Sequence, residues 1–204
     1  MITVQDGVVR LDDAGVAAVL PGGDDLDPGT VRELERAGLG AALATLRSPL
    51  VTLEVLLAGA TVQLHRASVD ADRAVVLLAV RPGLHQLMVL PPSHLAAALV
   101  RMTRTGPRRA AGGERRAAPA EAATRLLSAD DAVRQGVLQE AAATLAWRLR
   151  VGWDGEHRDL VVVDGPAGLH VLDDEAGELV PVSATSLYRV FTTALPPEAL
   201  APAS

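Results

Sequence analysis

Two stretches of the chain alternate apolar and polar residues and then close on a helix, in the same order of elements. In the first, Val51, Leu53 and Val55 fall on one phase and Thr52 and Glu54 on the other, the period-two pattern of a half-buried strand. The runs Ala60–His65, Ala74–Val80 and Leu84–Leu90 follow. Leu95, Ala98, Leu99 and Met102 then make a stripe at helical spacing within Ser93–Met102. In the second stretch, Trp147, Leu149, Val151 and Trp153 alternate with Arg148, Arg150 and Gly152. Asp159–Val163, Leu169–Leu172 and Leu179–Val182 follow, and Leu187, Val190, Phe191 and Ala194 stripe a helix over Ser183–Ala194. The links between strands are turn-length (Ala58-Gly59, Arg81-Pro82-Gly83, Asp154-Gly155, Gly165-Pro166), too short for a crossover helix, so antiparallel hairpins are expected. The apolar phases place Leu53, Val55, Val62, Leu99, Leu149, Val151 and Phe191 in the core.

Punctuation residues divide the rest. Ile2–Leu11 reads as a hairpin turning at Asp6-Gly7, and Asp12 or Asp13 caps a short helix to Leu20. Asp27 is an N-cap, Pro28 suits the first helical turn, and Gly38 can take the left-handed closing position. Ala41–Leu46 continues as helix until Ser48-Pro49, and Ser93 caps the helix after the first strand unit. Further helices are expected over Pro119–Leu127 and Ala129–Leu145, the latter opened by a capping box of Ser128 and Asp131. Two local signatures recur in order: Gly83-Leu84-His85 with Gly168-Leu169-His170, and Leu90-Pro91-Pro92-Ser93 with Val180-Pro181-Val182-Ser183. The expected fold class is therefore α+β, a duplicated pseudo-two-fold unit of antiparallel strands plus helices. Residues 1–104 form the N-terminal half, 105–118 a linker and 119–204 the C-terminal half, together one pseudosymmetric domain.

Composition narrows the use of such a scaffold. The 204 residues are 49% apolar but only 2% aromatic, so the core rests on Leu, Val and Ala. All 19 basic residues are arginine, and the net charge is −6. An acidic chain with few aromatics argues against a nucleic-acid partner, and the pairs Arg108-Arg109 and Arg115-Arg116 read as a solvated linker. No cysteine is present, which excludes disulfide and thiolate chemistry. The first residues lack the basic start and apolar stretch of a signal peptide. No apolar run approaches the roughly 20 residues of a membrane span, so a soluble, cytoplasmic protein without membrane insertion is expected.

Candidate chemistry is sparse. Histidines 65, 85, 94, 157 and 170 show no ligand spacing, although His85 and His170 share a signature. No serine elbow, phosphate loop or dinucleotide fingerprint occurs. The acidic pairs Asp12-Asp13, Asp24-Asp25, Asp130-Asp131 and Asp173-Asp174 lie where carboxylates cap helices or turns, without the ligand spacing of a calcium loop. No catalytic, cofactor-binding or metal residue is assigned, and a non-catalytic role is expected. The residues by themselves leave three classes open: a binding protein, a structural or regulatory interaction module working as a homodimer through sheet edges, and a small-molecule enzyme.

Three phrases carry a family resemblance. They are Leu34-Glu35-Arg36-Ala37-Gly38-Leu39 leading to Ser48-Pro49 and a strand, then Ala74–Val80 with Val89-Leu90-Pro91 and Leu95–Val100, and last the similar ending of the second half. Together they resemble the EspG family, cytosolic chaperones of actinobacterial type VII (ESX) secretion. The resemblance implies a central antiparallel sheet with flanking helical subdomains. It also implies a secreted helical-hairpin partner, PE/PPE-like or WXG-like, that the chaperone keeps soluble. A helical guest needs an exposed apolar groove edged by polar loops. The polar loop Ala67–Arg73 and the apolar helices over Pro119–Leu145 meet that need, so Asp70, Arg73, Leu126, Leu127, Val133 and Val137 are the candidate partner-binding residues. A charge at Leu126 is expected to abolish partner binding without unfolding the protein.

Overall fold

The alternation seen in the sequence becomes one continuous antiparallel sheet in a computed structural model, which describes residues 1–5, 8–23, 26–106 and 114–197. The N-terminal hairpin β1 (Ile2–Gln5) and β2 (Val8–Leu11) leads to α1 (Asp13–Val19), α2 (Pro28–Arg36) and α3 (Gly40–Arg47). Strands β3 (Val51–Ala58), β4 (Val62–Val69), β5 (Ala74–Arg81) and β6 (Leu84–Leu90) follow, then a 3-10 turn (Pro92–His94) and α4 (Leu95–Met102). The short strand β7 (Arg116–Ala117) precedes α5 (Ala122–Leu126) and α6 (Asp131–Glu140). Strands β8 (Leu145–Trp153), β9 (Glu156–Gly165), β10 (Gly168–Asp173) and β11 (Glu178–Val182) then lead to α7 (Ala184–Thr192).

Among the described residues the strands run in the order β1-β2-β6-β5-β4-β3-β8-β9-β10-β11-β7. Outward from the central pair β3–β8, each side has four strands in chain order, β3 to β6 and β8 to β11. Edge strands from earlier in the chain then follow, β2 and β1 on one side and β7 on the other. The central pair joins the halves over seven residue pairs, from Thr52 opposite Gly152 to Ala58 opposite Ala146. The expected antiparallel α+β architecture is present. The expected linker is in part sheet, because Arg116 and Ala117 pair with Leu179 and Glu178 of β11. The expected Asp6-Gly7 turn, the Asp24-Asp25 pair, Arg108-Arg109 and the rest of 107–113 lie outside the described residues.

Register puts each strand's odd and even residues on opposite faces. One face carries Val51, Leu53, Val55 and Leu57 of β3 beside Trp147, Leu149, Val151 and Trp153 of β8, and α4 and α7 cover it with Leu95, Leu99, Leu187 and Phe191. The opposite face is covered only towards its two ends. At one end, Val75, Leu77 and Leu87 pack with Val9, Leu11, Val16, Leu34 and Leu46 of the N-terminal hairpin and helices. At the other, Ala146, Val163, Leu172 and Leu179 pack with Leu126, Val137 and Leu138 of α5 and α6.

Six of the seven expected core residues are buried, but Val62 is 40% exposed. Leu57 stands opposite Gln63 and Val55 opposite His65, so the inward phase of β4 runs through His65, Ala67 and Val69. Residues alternating as Val62, Leu64 and Arg66 take the other face. His65 is thus 4% exposed, and its Nδ1 accepts the Ala79 N–H at 3.0 Å. Burial first, then the nearby Arg104 and His85, pull its pKa down to about 4.

The helix ends separate what a sequence shows from what it hides. In α2 the Asp27 side chain accepts the Gly29 and Thr30 N–H groups, and Gly38 takes a φ of +75° while Leu39 N–H reaches the Leu34 carbonyl at 2.9 Å. The same closing motif ends α6 at Glu140, five residues before the expected end at Leu145. Ala142, at φ +48°, occupies the left-handed position, and Ala143 N–H bonds the Leu138 carbonyl at 2.8 Å. Leu145 is thereby free to open β8. Asp130, not the expected Ser128, is the cap of α6: its carboxylate accepts the Ala132 and Val133 N–H groups, and Ser128 Oγ accepts the Asp130 N–H. Likewise Ser93 lies in the 3-10 turn, and His94 stands at the start of α4 without a side-chain cap bond. The helix expected over Pro119–Leu127 is confined to Ala122–Leu126.

The recurring signatures fare differently. Leu90–Ser93 and Val180–Ser183 each end the last strand of a four-stranded run, β3–β6 or β8–β11, and lead into α4 or α7. Gly83-Leu84-His85, however, opens β6, a fourth strand, whereas Gly168-Leu169-His170 opens β10, a third strand. Both glycines have positive φ, +71° and +103°, so the shared phrase marks a hairpin exit and not an equivalent place. His85 Nε2 meets Asp13 Oδ1 at 2.8 Å, while His170 is 2% exposed beneath the C-terminal helices.

A buried arginine ties the halves together on the second face. Arg134 of α6 is 3% exposed; its Nε donates to the Gly59 carbonyl at 3.3 Å and its Nη1 to the Ser128 carbonyl at 2.9 Å. Its Nη2 pairs with Asp131 at 2.6 Å, and Gln135 adds a second donor to Gly59 at 2.8 Å. Removing the guanidinium takes the donor from the half-buried Ser128 carbonyl, leaves Gly59 with Gln135 alone and empties a buried site. Arg134→Ala should therefore cost on the order of 3 kcal/mol in chemical denaturation. A change under about 0.5 kcal/mol would mean that water replaces these bonds at no cost.

Candidate functional site

Between the two helical packs of the second face, the middle of the sheet lies open. The register places four charged residues side by side across it: Arg66 opposite Glu54, Glu54 opposite Arg150, and Arg150 opposite Asp159. The signs alternate along this row. Arg66 Nε lies 3.3 Å from Glu54 Oε1, and Arg150 holds Asp159 with two bonds of 2.9 and 2.7 Å. Hydrogen bonding to Arg150 lowers the Asp159 pKa, and the same pair raises that of Arg150. The row is a preformed, self-neutralised floor at the junction of the halves.

Two clefts flank the row and meet at the Arg150–Asp159 pair. One, about 290 Å³, is floored by Thr52, Ser68 and Gly152 and walled by Leu20 and Pro21 at the end of α1. The other, about 500 Å³, is floored by Arg148 and Val161 and walled by Thr124 and Leu127 of the α5 region. Arg148 Nε is buried without a hydrogen-bond partner, a donor that an incoming acceptor could satisfy. Thr52 is exposed on the floor, and an added Cβ on Gly152 would lie 3.0 Å from its hydroxyl. This combination of apolar walls with a charged, hydrogen-bonding floor suits a protein segment that brings both apolar and polar groups.

The candidates read from the sequence divide between the two packs. Asp70 and Arg73 sit together in the β4–β5 turn, 3.6 Å apart. Burial works to raise the Asp70 pKa, but bonds from the Thr45 hydroxyl and the Asp72 and Arg73 N–H groups outweigh it and hold it low. Asp70 thereby ties this turn to α3 through Thr45 at 2.5 Å. Leu126 and Val137 are each 0% exposed inside the C-terminal pack, so they border no surface. A charge at Leu126 is expected to unfold this pack, in place of the selective loss of binding anticipated above. Leu127 is half-buried and lines the larger cleft, and Val133 is 39% exposed on α6. Of the six, Leu127 alone lines either cleft. The charged row escaped sequence reasoning because it depends on β3 pairing with β8, nearly a hundred positions away. The visible trace was a single charge on the polar phase of β3, Glu54, and charges at alternate positions of β8, Arg148-x-Arg150.

Among the described residues, no cluster of three or more His, Cys, Asp or Glu side chains could hold a metal ion. No described helix is long and apolar enough to cross a membrane.

An open antiparallel sheet with a helical pack at each end of one face and a helix pair across the other defines the fold. No protein-family profile and no curated protein matches this sequence. Among solved structures, the chain is similar to EspG5, the type VII secretion system chaperone of Mycobacterium tuberculosis, solved in complex with the PE25–PPE41 dimer. The TM-score is 0.57 at 13% identity, over 97% of this chain and 98% of that one. The fold is EspG-like.

Proposed function

We propose that this protein is a non-catalytic secretion chaperone that receives the helical tip of a PE/PPE-like hairpin in the open middle of its sheet, keeping that guest soluble for type VII secretion. The observation that carries the reading is the fold likeness to EspG5 across nearly the full length of both chains. The trough adds a place for the guest: apolar walls at Leu20, Pro21 and Leu127, and a floor whose Arg148 Nε lacks a partner. Such a chaperone works where its guest is made, in the cytoplasm. The strand order about β3–β8 supports treating the two halves as a duplicated unit, with the paired Leu90–Ser93 and Val180–Ser183 phrases as its trace.

Co-expression with a PE/PPE-like pair encoded in the same genome tests the reading. The tagged protein should retain the pair through purification, and Thr52→Trp, which fills the trough from an exposed floor position, should reduce retention at least tenfold while the circular dichroism stays unchanged. Equal retention by a folded Thr52→Trp variant would remove the trough as the docking site. Failure to retain any such pair would remove the chaperone reading.

A further inference from the structure

The helix pair on the opposite face carries a second groove that the proposed guest site does not use. It holds about 450 Å³ between α4 and α7, floored by Ala97, Val100 and Ala184 and walled by Thr185 and Tyr188. Tyr188, the single tyrosine of the chain, is 47% exposed. The packing stripe of α7, Leu187 and Phe191, already fills the core below, so Tyr188 is not needed there.

The charge around this groove is opposite to that of the molecule. The chain carries −6 overall, yet residues 93–106 and 183–195 contain Arg101, Arg104 and Arg189 and no carboxylate. Arg101 lines the groove, and Arg189 follows Tyr188 directly on α7. Both side chains are exposed, and neither makes an ion pair or side-chain hydrogen bond among the described residues. Exposed Arg115 and half-buried Arg125 each meet a glutamate, whereas neither helix of this groove carries a carboxylate to answer Arg101 or Arg189. An apolar channel with Arg101 in its lining and Arg189 next to Tyr188 on α7 selects a guest with the complementary pattern: a strip of apolar side chains bordered by carboxylates.

The geometry points to a docking surface for an acidic amphipathic helix of a partner protein, with its apolar strip over Ala97, Val100 and Tyr188 and its carboxylates on Arg101 and Arg189. This surface lies on the other side of the sheet from the trough, so both can be filled at once. The inference stands apart from the proposed guest.

The test uses the whole protein and two labelled synthetic helices with the same Leu pattern at i, i+3, i+4 and i+7, one with Glu and one with Gln at the flanking positions. The Glu peptide should bind at least ten times more tightly than the Gln peptide, and weaken several-fold when salt is raised from about 0.05 to 0.5 M. Arg101→Glu combined with Arg189→Glu should erase the difference between the peptides, and Ala97→Trp, which fills the channel, should weaken both. The double variant should also keep any PE/PPE-like guest that Thr52→Trp loses, which separates failure here from failure of the chaperone reading. Equal affinities for the two peptides, no measurable binding, or binding untouched by these variants would overturn the proposal. So would binding of phosphatidylglycerol vesicles without the Glu peptide, or a self-associated protein that becomes monomeric when the arginines are reversed.

Discussion

Replacing Trp147 by alanine should lower the stability of this protein by about 4 kcal/mol, among the largest losses open to one substitution. Trp147 is 0% exposed on the central strand β8, opposite Leu57 of β3 and Val162 of β9. Its ring lies 5.8 Å from that of Phe191 at an interplanar angle of 47°, and so connects the sheet to α7. Phe191, the one ring in contact, belongs to α7 and already packs in the same core, so it fills the space only in part. Cavity formation then adds to the lost transfer energy. The indole Nε1 has no hydrogen-bond partner, so Trp147→Phe removes an unsatisfied donor along with some volume and should cost less, about 2 kcal/mol. Urea denaturation of the three proteins measures both figures. A loss under 1 kcal/mol for Trp147→Ala would show that β8 does not hold the centre of the core.

Acidification should destabilise the fold before carboxylate titration begins. Burial holds the His65 pKa near 4 against 6.5 in the unfolded chain. Below pH 6.5 the unfolded chain takes up a proton that the folded protein refuses, so stability is complete above that value and falls as pH drops towards 4. The shift corresponds to about 3 kcal/mol across that window. Protonation would also cost the bond in which Nδ1 accepts the Ala79 N–H. His170, lowered by its burial and by Arg116, acts in the same direction. Asp70 and Asp159, both lowered, withdraw their contributions only at more acidic pH. Chemical denaturation from pH 7 to pH 4 should show the fall, and His65→Gln should remove the larger share of the slope. A slope unchanged in His65→Gln would place the titrating group elsewhere.

The halves of this structure were legible to different depths. Local punctuation was readable where a residue type was obligatory. Asp27, Pro28 and Gly38 mark α2, whereas α6 ends with the same hydrogen bonds around Ala142, whose left-handed backbone no alanine announces. Strand existence was plain from alternation, but the inward phase of β4 was not. Val62 and Leu64 look like core residues, yet the pairing with β3 turns His65 inward. Gly-Leu-His recurred because hairpin exits favour glycine, not because β6 and β10 hold equivalent places. The trough was least visible of all. Its charged row is made by strands paired across the whole chain, and such pairing leaves only a single charge on the polar phase of β3 and an alternation of charge in β8. Leu126, expected beside Leu127 at the guest site because its helix carries surplus apolar surface, proved to be core: one helical step of 100° separates a wall residue from a buried one.

Hydrogen exchange of the complex with a PE/PPE-like pair tests the central claim most directly. If the guest lies in the middle of the sheet, amides in the segment around Thr124 and Leu127 and in the Leu20–Pro21 end of α1 should slow at least tenfold on binding. Amides of the α4–α7 face should exchange as in the free protein. Protection confined to α4 and α7, or none anywhere along the trough walls, would contradict the account.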